Sequence, residues 1–435
     1  MTELDAVLAF GVALVVSAAV TPLAARLAFG VGAVDRPRER GLATRETPRL
    51  GGLAIFAAVL IAAALGLIAD AKMRAVLGGG ALIVLVGAID DARSGGLPPG
   101  TKLVGQIAAA LIPVLAGVVV ASIRLPFIGV VNFGDAGGPL TVLGLVAVMN
   151  VVNFSDGVDG LAAGVCAISA VSLSIIAFDF ANDATGALAR NQHARAAVLA
   201  ALTAGAALGF LIHNFHPASV FMGDSGSNLL GLLLGCVAVE GEVKTASVVA
   251  LLFPLVILAV PFLDTSFVLA KRIKYKRPVY SADRNHFHHR LANIGFSQRR
   301  TVLYLYGWTV ALAGLALALR FLPWSDHHGH FSVAWMVVLG LFALAVLALS
   351  VYLVVVLEIL KFRLARTPQL RRAHPDTSEH EIAEQVAREL ETGEMDALGP
   401  DAGERDGISD APPDGRPGDA VADSDYAGPS PAPHP

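Results

Sequence analysis

Apolar runs long enough to cross a bilayer recur along almost the whole chain, and they constrain its fold before any other feature does. Spanning ~30 Å of hydrocarbon takes ~20 apolar residues at helical rise. By that measure about eleven segments are predicted, near 5–28, 50–69, 73–89, 103–121, 139–153, 159–179, 194–213, 226–241, 245–270, 301–322 and 332–360. Backbone polar groups in lipid must be satisfied within the segment, so these runs predict an all-α polytopic membrane protein. A composition of 55% hydrophobic and 16% charged residues is too apolar for an ordinary soluble domain. The N-terminal run carries Glu3 and Asp5 where a secretory signal would carry lysine or arginine, so it is read as a first membrane helix.

Positive charge sets the expected orientation, because lysine and arginine are retained on the cytoplasmic side. The connection 30–49 holds Arg36, Arg38, Arg40, Arg45 and Arg49, and the connection 271–300 is still richer in Lys and Arg. The intervening loops 122–138, 180–193, 242–244 and 323–331 hold hardly any, which puts the N-terminus outside and the C-terminus inside. Within 122–138, β-branched runs bounded by Gly and Pro fit a small extracellular or periplasmic hairpin. A net charge of −4, with no basic run interleaved with aromatics, excludes a nucleic-acid partner. Cys166 and Cys236 lie in apolar runs, so neither a disulfide framework nor a cysteine zinc site is indicated.

The sequence divides into a membrane domain over 1–362 and a cytoplasmic tail over 363–435. The tail is rich in Asp, Gly, Pro, Ala and Ser, too poor in large apolar residues to offset the entropy of ordering, and is predicted to be mostly disordered. One short helix is expected at 378–392, where Ser378 and Glu381 form a capping box before the stripe Ile382, Val386 and Leu390.

The charges that serve neither topology nor tail fall in four clusters. These are Asp90-Asp91 with Lys102; Asn150, Asn153, Asp156 and Asp159 in NVVNFSDGVDGLAAG; Asp224 in HNFHPASVFMGDSGSN; and ADRNHFHHRL with His286, His288, His289 and Arg290. The predicted topology places all four at helix ends on the inner face. Taken singly, each acid could merely mark a helix end. Together, five carboxylates and two amides form an oxygen-rich set suited to a hard cation such as Mg²⁺, with Mn²⁺ as an alternative. The basic histidine loop supplies donors for a diphosphate, which clustered carboxylates would otherwise repel. Zinc at the HxHH spacing is disfavoured because no partner cysteine exists.

At these residues the sequence resembles the polyprenyl-phosphate N-acetylhexosamine-1-phosphate transferases, the superfamily that includes the phospho-N-acetylmuramoyl-pentapeptide translocase. The resemblance covers roughly 5–360 and rests on DRPRERG...TPRLGG, DD...K...Q, NVVNFSDGVDGLAAG, NFHPASVFMGDSGS, PFLDT and ADRNHFHHRL. The HxHHRL form is similar to the branch using UDP-N-acetylglucosamine and undecaprenyl or decaprenyl phosphate, which opens cell-envelope polysaccharide synthesis. The resemblance implies catalytic roles for Asp90, Asp91, Asp156 and Asp159, and Mg²⁺ coordination by Asp224 with Asn153. It implies substrate contacts by Lys102, Asn150, the histidine loop and Phe221, the last placed to stack on uracil. Gly41 and Ala43 stand where family members often have a Lys and a His, a departure for which Arg45 and Arg49 could compensate. A bacterial plasma membrane location with a cytoplasmic site follows, and a homodimer is a family expectation.

The reaction so implied is attack of the lipid phosphate on the β-phosphorus of the UDP-sugar, with UMP leaving, either directly or through a phosphorylated Asp91 or Asp156. A muramoyl-pentapeptide or other hexosamine nucleotide is the alternative substrate. A transporter or flippase would place its polar groups near the midplane in related halves, whereas these acids lie at one face.

Overall fold

The computed structural model describes residues 2–35, 46–66, 70–125, 129–240, 298–324 and 332–352, with Ser378, Glu381, Ile382, Glu384 and Gln385 further on. Its elements begin with helix α1 (Glu3–Val31), whose N-cap Thr2 and Asp5 exchange capping-box hydrogen bonds and whose end at Gly32 is left-handed. Short strands β1 (Val34–Asp35) and β2 (Thr47–Pro48) pair antiparallel and lead into α2 (Gly51–Ala64) and α3 (Ala71–Ala92). After α4 (Pro99–Leu115), β3 (Ser122–Leu125) and β4 (Gly129–Asn132) form the expected hairpin. Then come α5 (Gly137–Ser155), α6 (Leu161–Asp183), α7 (Ala187–Asn214), α8 (Gly223–Glu240), α9 (Gln298–Phe321) and α10 (Val333–Val351).

Seven helices among the described residues are long and apolar enough to cross a membrane, which makes this a multi-pass helical membrane protein. Two further apolar helices are shorter than the sequence reading had them, α2 with 14 residues and α4 with 17. Helix α4 starts four residues before its apolar run because Pro98-Pro99 opens it, a residue type suited to a first turn. The expected loop 180–193 contracts to Ala184–Gly186, since the helix-forming stretch ALARNQHARA extends α7 toward its N-terminus. The apolar run 245–270 lies outside the described residues.

Packing follows from small residues, as it must where lipid removes the hydrophobic drive between helices. Helix α1 buries the stripe Ala6, Ala9, Ala13, Ser17, Thr21, Ala24 and Ala28. Across from it a Cβ on Gly205 or Gly209 of α7 would sit 2.2 Å from a carbonyl oxygen of α1, and Ser17 Oγ donates to Ala206 O at 2.8 Å. Helix α8 is the buried centre. A Cβ on Gly52 of α2 would lie 2.2 Å from Gly226 N, one on Gly87 of α3 2.4 Å from Ser225 Cα, and one on Gly231 2.6 Å from Met149 Cα of α5. The bundle thus delivers the ends of α3 and α5 and the starts of α4 and α8 to one face. At the other end, Lys72 pairs with buried Glu240 at 2.9 Å and Arg195 with Asp70 at 2.9 Å. The chain divides into units Met1–Ala365 and Arg366–Pro435. In the second, Glu381 N donates to Ser378 Oγ and Ser378 N to Glu381 Oε2.

Candidate active site

The last turn of α3 carries Asp90 and Asp91, both buried, at 6% and 4% exposure. They lie within the helix, one and two residues beyond the apolar run that the sequence marks at 73–89. Asp91 Oδ1 accepts from Asp224 N at 3.0 Å, and Asp91 Oδ2 accepts from Ser225 N at 3.1 Å and Ser225 Oγ at 3.0 Å. It therefore caps α8, satisfying amides that have no intrahelical partner. Gly223, the first residue of α8, has φ 71°, and a Cβ there would lie 2.4 Å from Asp91 Oδ2. Asp90 Oδ1 accepts from Leu97 N, which closes the loop to α4.

Lys102, in the first turn of α4, extends between two of the acids. Its Nζ lies 2.9 Å from Asp90 Oδ2 and 2.7 Å from Asp224 Oδ2. Asp224 opens α8, and its other oxygen accepts from Asn153 Nδ2 of α5 at 3.1 Å; the same amide donates to Ser227 Oγ at 2.9 Å. Three of the four sequence clusters thus meet, though they span some 135 positions of chain.

Asp156 follows α5 as its C-cap. Burial, then the carboxylates of Asp224 and Asp91, push its carboxyl well above the usual range, while Arg49 opposes the shift. Asp159 faces the loop after α7, where its Oδ2 accepts from Ala218 N at 3.1 Å and lies 2.8 Å from His216 Nδ1. Asn214 Oδ1 accepts from Gly160 N at 3.0 Å and Tyr306 donates to Gly160 O, so the turn 156–160 is held from α7 and α9. Phe221 is half-buried, and its backbone is fixed by Phe221 N to Pro48 O at 2.8 Å and Gly51 N to Phe221 O at 3.0 Å.

Asn150 was expected to contact substrate. Here its Nδ2 donates to Gln106 Oε1 at 2.9 Å and to Val146 O at 2.8 Å. Gln106, Asn228, Ser225 and His216 were not among the expected site residues. An amide such as Gln106 inside an apolar run, one turn from Lys102, is the signal that points to it. His286, His288, His289 and Arg290 lie outside the described residues.

The donor set suits a hard cation. One carboxylate oxygen each from Asp90, Asp91 and Asp224 lie within 4.8 Å of one another, all are oxygen ligands, and an ammonium already bridges two of them. Asp91 is the least available, since both its oxygens accept hydrogen bonds from α8. Asn153 presents its amide nitrogen to Asp224, and acting as an oxygen ligand requires the amide to be reversed.

Comparison with known proteins gives a consistent result. The family model described as "Glycosyl transferase family 4" matches residues 73–242. The chain is 34% identical over 315 residues to the "Probable undecaprenyl-phosphate N-acetylglucosaminyl 1-phosphate transferase" of Bacillus subtilis (strain 168), covering 72% of this chain and 84% of the relative. It is 39% identical over 321 residues to the "Decaprenyl-phosphate N-acetylglucosaminephosphotransferase" of Mycolicibacterium smegmatis, covering 68% and 78%. It is also 35% identical over 343 residues to the "Phospho-N-acetylmuramoyl-pentapeptide-transferase" of Desulforudis audaxviator, covering 72% and 95%.

Proposed function

The chain belongs to glycosyl transferase family 4, in its polyprenyl-phosphate N-acetylglucosamine 1-phosphate transferase branch, and on that premise we propose how its acidic centre works. The enzyme transfers N-acetylglucosamine 1-phosphate from UDP-N-acetylglucosamine to undecaprenyl or decaprenyl phosphate, releasing UMP. The observation that carries this reading is the convergence of Asp90, Asp91, Asp224 and Lys102 at the ends of three different helices. Four charges gathered at buried helix ends are costly unless a polyanionic substrate and its counter-ion use them.

The chemistry that a bound Mg²⁺ or Mn²⁺ supplies is neutralisation of the diphosphate against the carboxylates, and Asp224 and Asp90 would hold it, with Asn153 adding its oxygen. Lys102 binds the donor phosphates as their charge replaces that of the acids it now bridges. The acceptor is a phosphate monoester with a second pKa of about 6, already mostly ionised at neutral pH. Asp90 therefore orients it more than it deprotonates it. Asp91 is bound on both oxygens to the start of α8, which favours direct attack on the β-phosphorus over a phosphorylated Asp91. Asp156, Asp159 and Phe221 frame the nucleotide-sugar side, and Lys102 faces the phosphates.

Arg49 and Arg299 belong to the two arginine-rich connections and both lie at the site's end of the bundle, Arg299 Nε donating to His216 O at 3.0 Å. Basic connections are retained inside, which supports a site on the cytoplasmic face of a bacterial plasma membrane and a cytoplasmic tail beyond 363. The test is purified protein with labelled UDP-N-acetylglucosamine and undecaprenyl phosphate, in parallel with the muramoyl-pentapeptide nucleotide. The expected outcome is a lipid-linked sugar and UMP from the first donor, and none from folded Asp224→Asn. Transfer from the pentapeptide nucleotide alone would move the protein to the other branch, and full turnover by Asp224→Asn would remove Asp224 from the site.

A further inference from the structure

We propose that three carboxamides, Gln106, Asn150 and Asn228, form a positioning layer one helical turn inside the charged centre, and that this layer sets the helix register which holds Lys102 on Asp224. The proposal deepens the transfer reading above and rests on it for its effect on turnover. Asn150 Nδ2 donates to Gln106 Oε1 at 2.9 Å, Gln106 Nε2 donates to Asn228 Oδ1 at 2.8 Å, and Asn228 Nδ2 donates to Asp224 O at 2.8 Å. Gln106 and Asn228 are each 5% exposed. Asn228 Nδ2 is held by Asp224 O, which leaves Asn228 Oδ1 to accept from Gln106, and Asn150 Nδ2 donates both to Val146 O and to Gln106 Oε1, so the middle amide has one consistent orientation.

Each amide stands one turn from a group of the charged centre on its own helix. Gln106 follows Lys102 by four residues on α4, Asn228 follows Asp224 by four on α8, and Asn150 precedes Asn153 by three on α5. Residues so spaced lie on one helix face, so fixing the inner amide fixes the rotation of the outer charge. A slip of about 20° at the roughly 5 Å radius of side-chain atoms would move Lys102 Nζ by nearly 2 Å. The 2.7 Å pair with Asp224 would then be lost as a hydrogen bond. An apolar residue of equal size could fill the space but could not choose one rotation.

The experiment compares the full chain in detergent with Gln106→Met, which keeps length and removes the hydrogen bonds, with Asn228→Ala, and with the double variant. Two readouts are taken on samples with wild-type elution and thermal midpoint. Acetylation of Lys102 by acetic anhydride, followed by mass spectrometry against Lys72, needs no substrate and reports the pairing. It is expected to quicken at least threefold in each single variant. Turnover with UDP-N-acetylglucosamine is expected to fall at least tenfold, with KM for the donor within about threefold of wild type and no more than about a further twofold loss in the double variant. An unchanged Lys102 labelling rate in both single variants overturns the layer, as does a fully multiplicative loss in the double. If Gln106→Met does not fold, Gln106→Asn, which keeps an amide but retracts it, takes its place with the same criteria. A wild type that labels as expected yet transfers no sugar phosphate sinks the functional reading and leaves the layer standing.

Discussion

Asp91→Asn separates an anchoring role from a chemical one. Asp91 receives three hydrogen bonds at 3.0, 3.1 and 3.0 Å from the start of α8, in a position only 4% exposed. Bonds to an ionised acceptor contribute about 1.5–3 kcal/mol each, against about 0.5–1.5 kcal/mol for neutral ones. Asparagine keeps one oxygen and turns an NH₂ toward an N–H, so one side of the cap becomes neutral and the other repulsive. The expected loss is about 3–5 kcal/mol, shared between the stability of α8 and the placement of Asp224. At about 1.4 kcal/mol per decade, an even division lowers turnover by about ten- to seventyfold, and the thermal midpoint in detergent should drop by several degrees. Ser225→Ala removes one donor and should cost about tenfold in turnover, with little added loss on top of Asp91→Asn. An inactive Asp91→Asn with a wild-type midpoint, beside a fully active Ser225→Ala, would show that Asp91 acts in the chemistry and not as an anchor.

Lys102→Met leaves Asp90 and Asp224 without the ammonium they share. Because Lys102 is about a third exposed, the stability cost should be modest, about 1–2 kcal/mol, while turnover falls by more than about a hundredfold and Lys102→Arg restores part of it. Gly52→Ala sets a Cβ 2.2 Å from Gly226 N, a backbone clash that no side chain can relieve. It should abolish the monodisperse peak in size exclusion, whereas Gly11→Ala, with nothing within 4 Å, should elute as wild type. A chelator should abolish transfer and added Mg²⁺ should restore it; turnover that survives exhaustive chelation would refute the metal reading.

The charged centre was legible because its residues stand where apolar runs stop, and an acid there needs a partner, a ligand or water. Asp90, Asp91, Asn153 and Asp224 announce themselves by that position, and the glycines beside Asp224 allow the close approach that Gly52 and Gly226 make. What one strand of sequence could not give was the division of labour among like residues. Asp90 and Asp91 are neighbours in sequence, yet one faces Lys102 and the other caps α8. That difference arises from the 100° between successive residues on a helix and from which neighbour each face meets. Helix limits failed for a similar reason. Hydropathy marks where lipid begins, but Pro98-Pro99 and the alanines after Gly186 decide where α4 and α7 start.

The amides were harder to read because their meaning lies in pairing across elements. Gln106 in an apolar run looks like a defect until Asn150 and Asn228 arrive from α5 and α8. His216 gives no sign of its tie to Asp159, which comes from another motif more than fifty residues away. Interhelical hydrogen bonds between amides contribute little to stability in a membrane, about 0.6 kcal/mol on average in the measured case. The energy therefore does not explain three amides under one charged cluster. Direction does: a Leu at each position would pack as well, but it would leave α4, α5 and α8 free to choose among rotations only some of which join Lys102, Asn153 and Asp224. On this argument a buried polar residue one turn inside a charged helix end is part of the geometry of the site, even where it never meets the substrate.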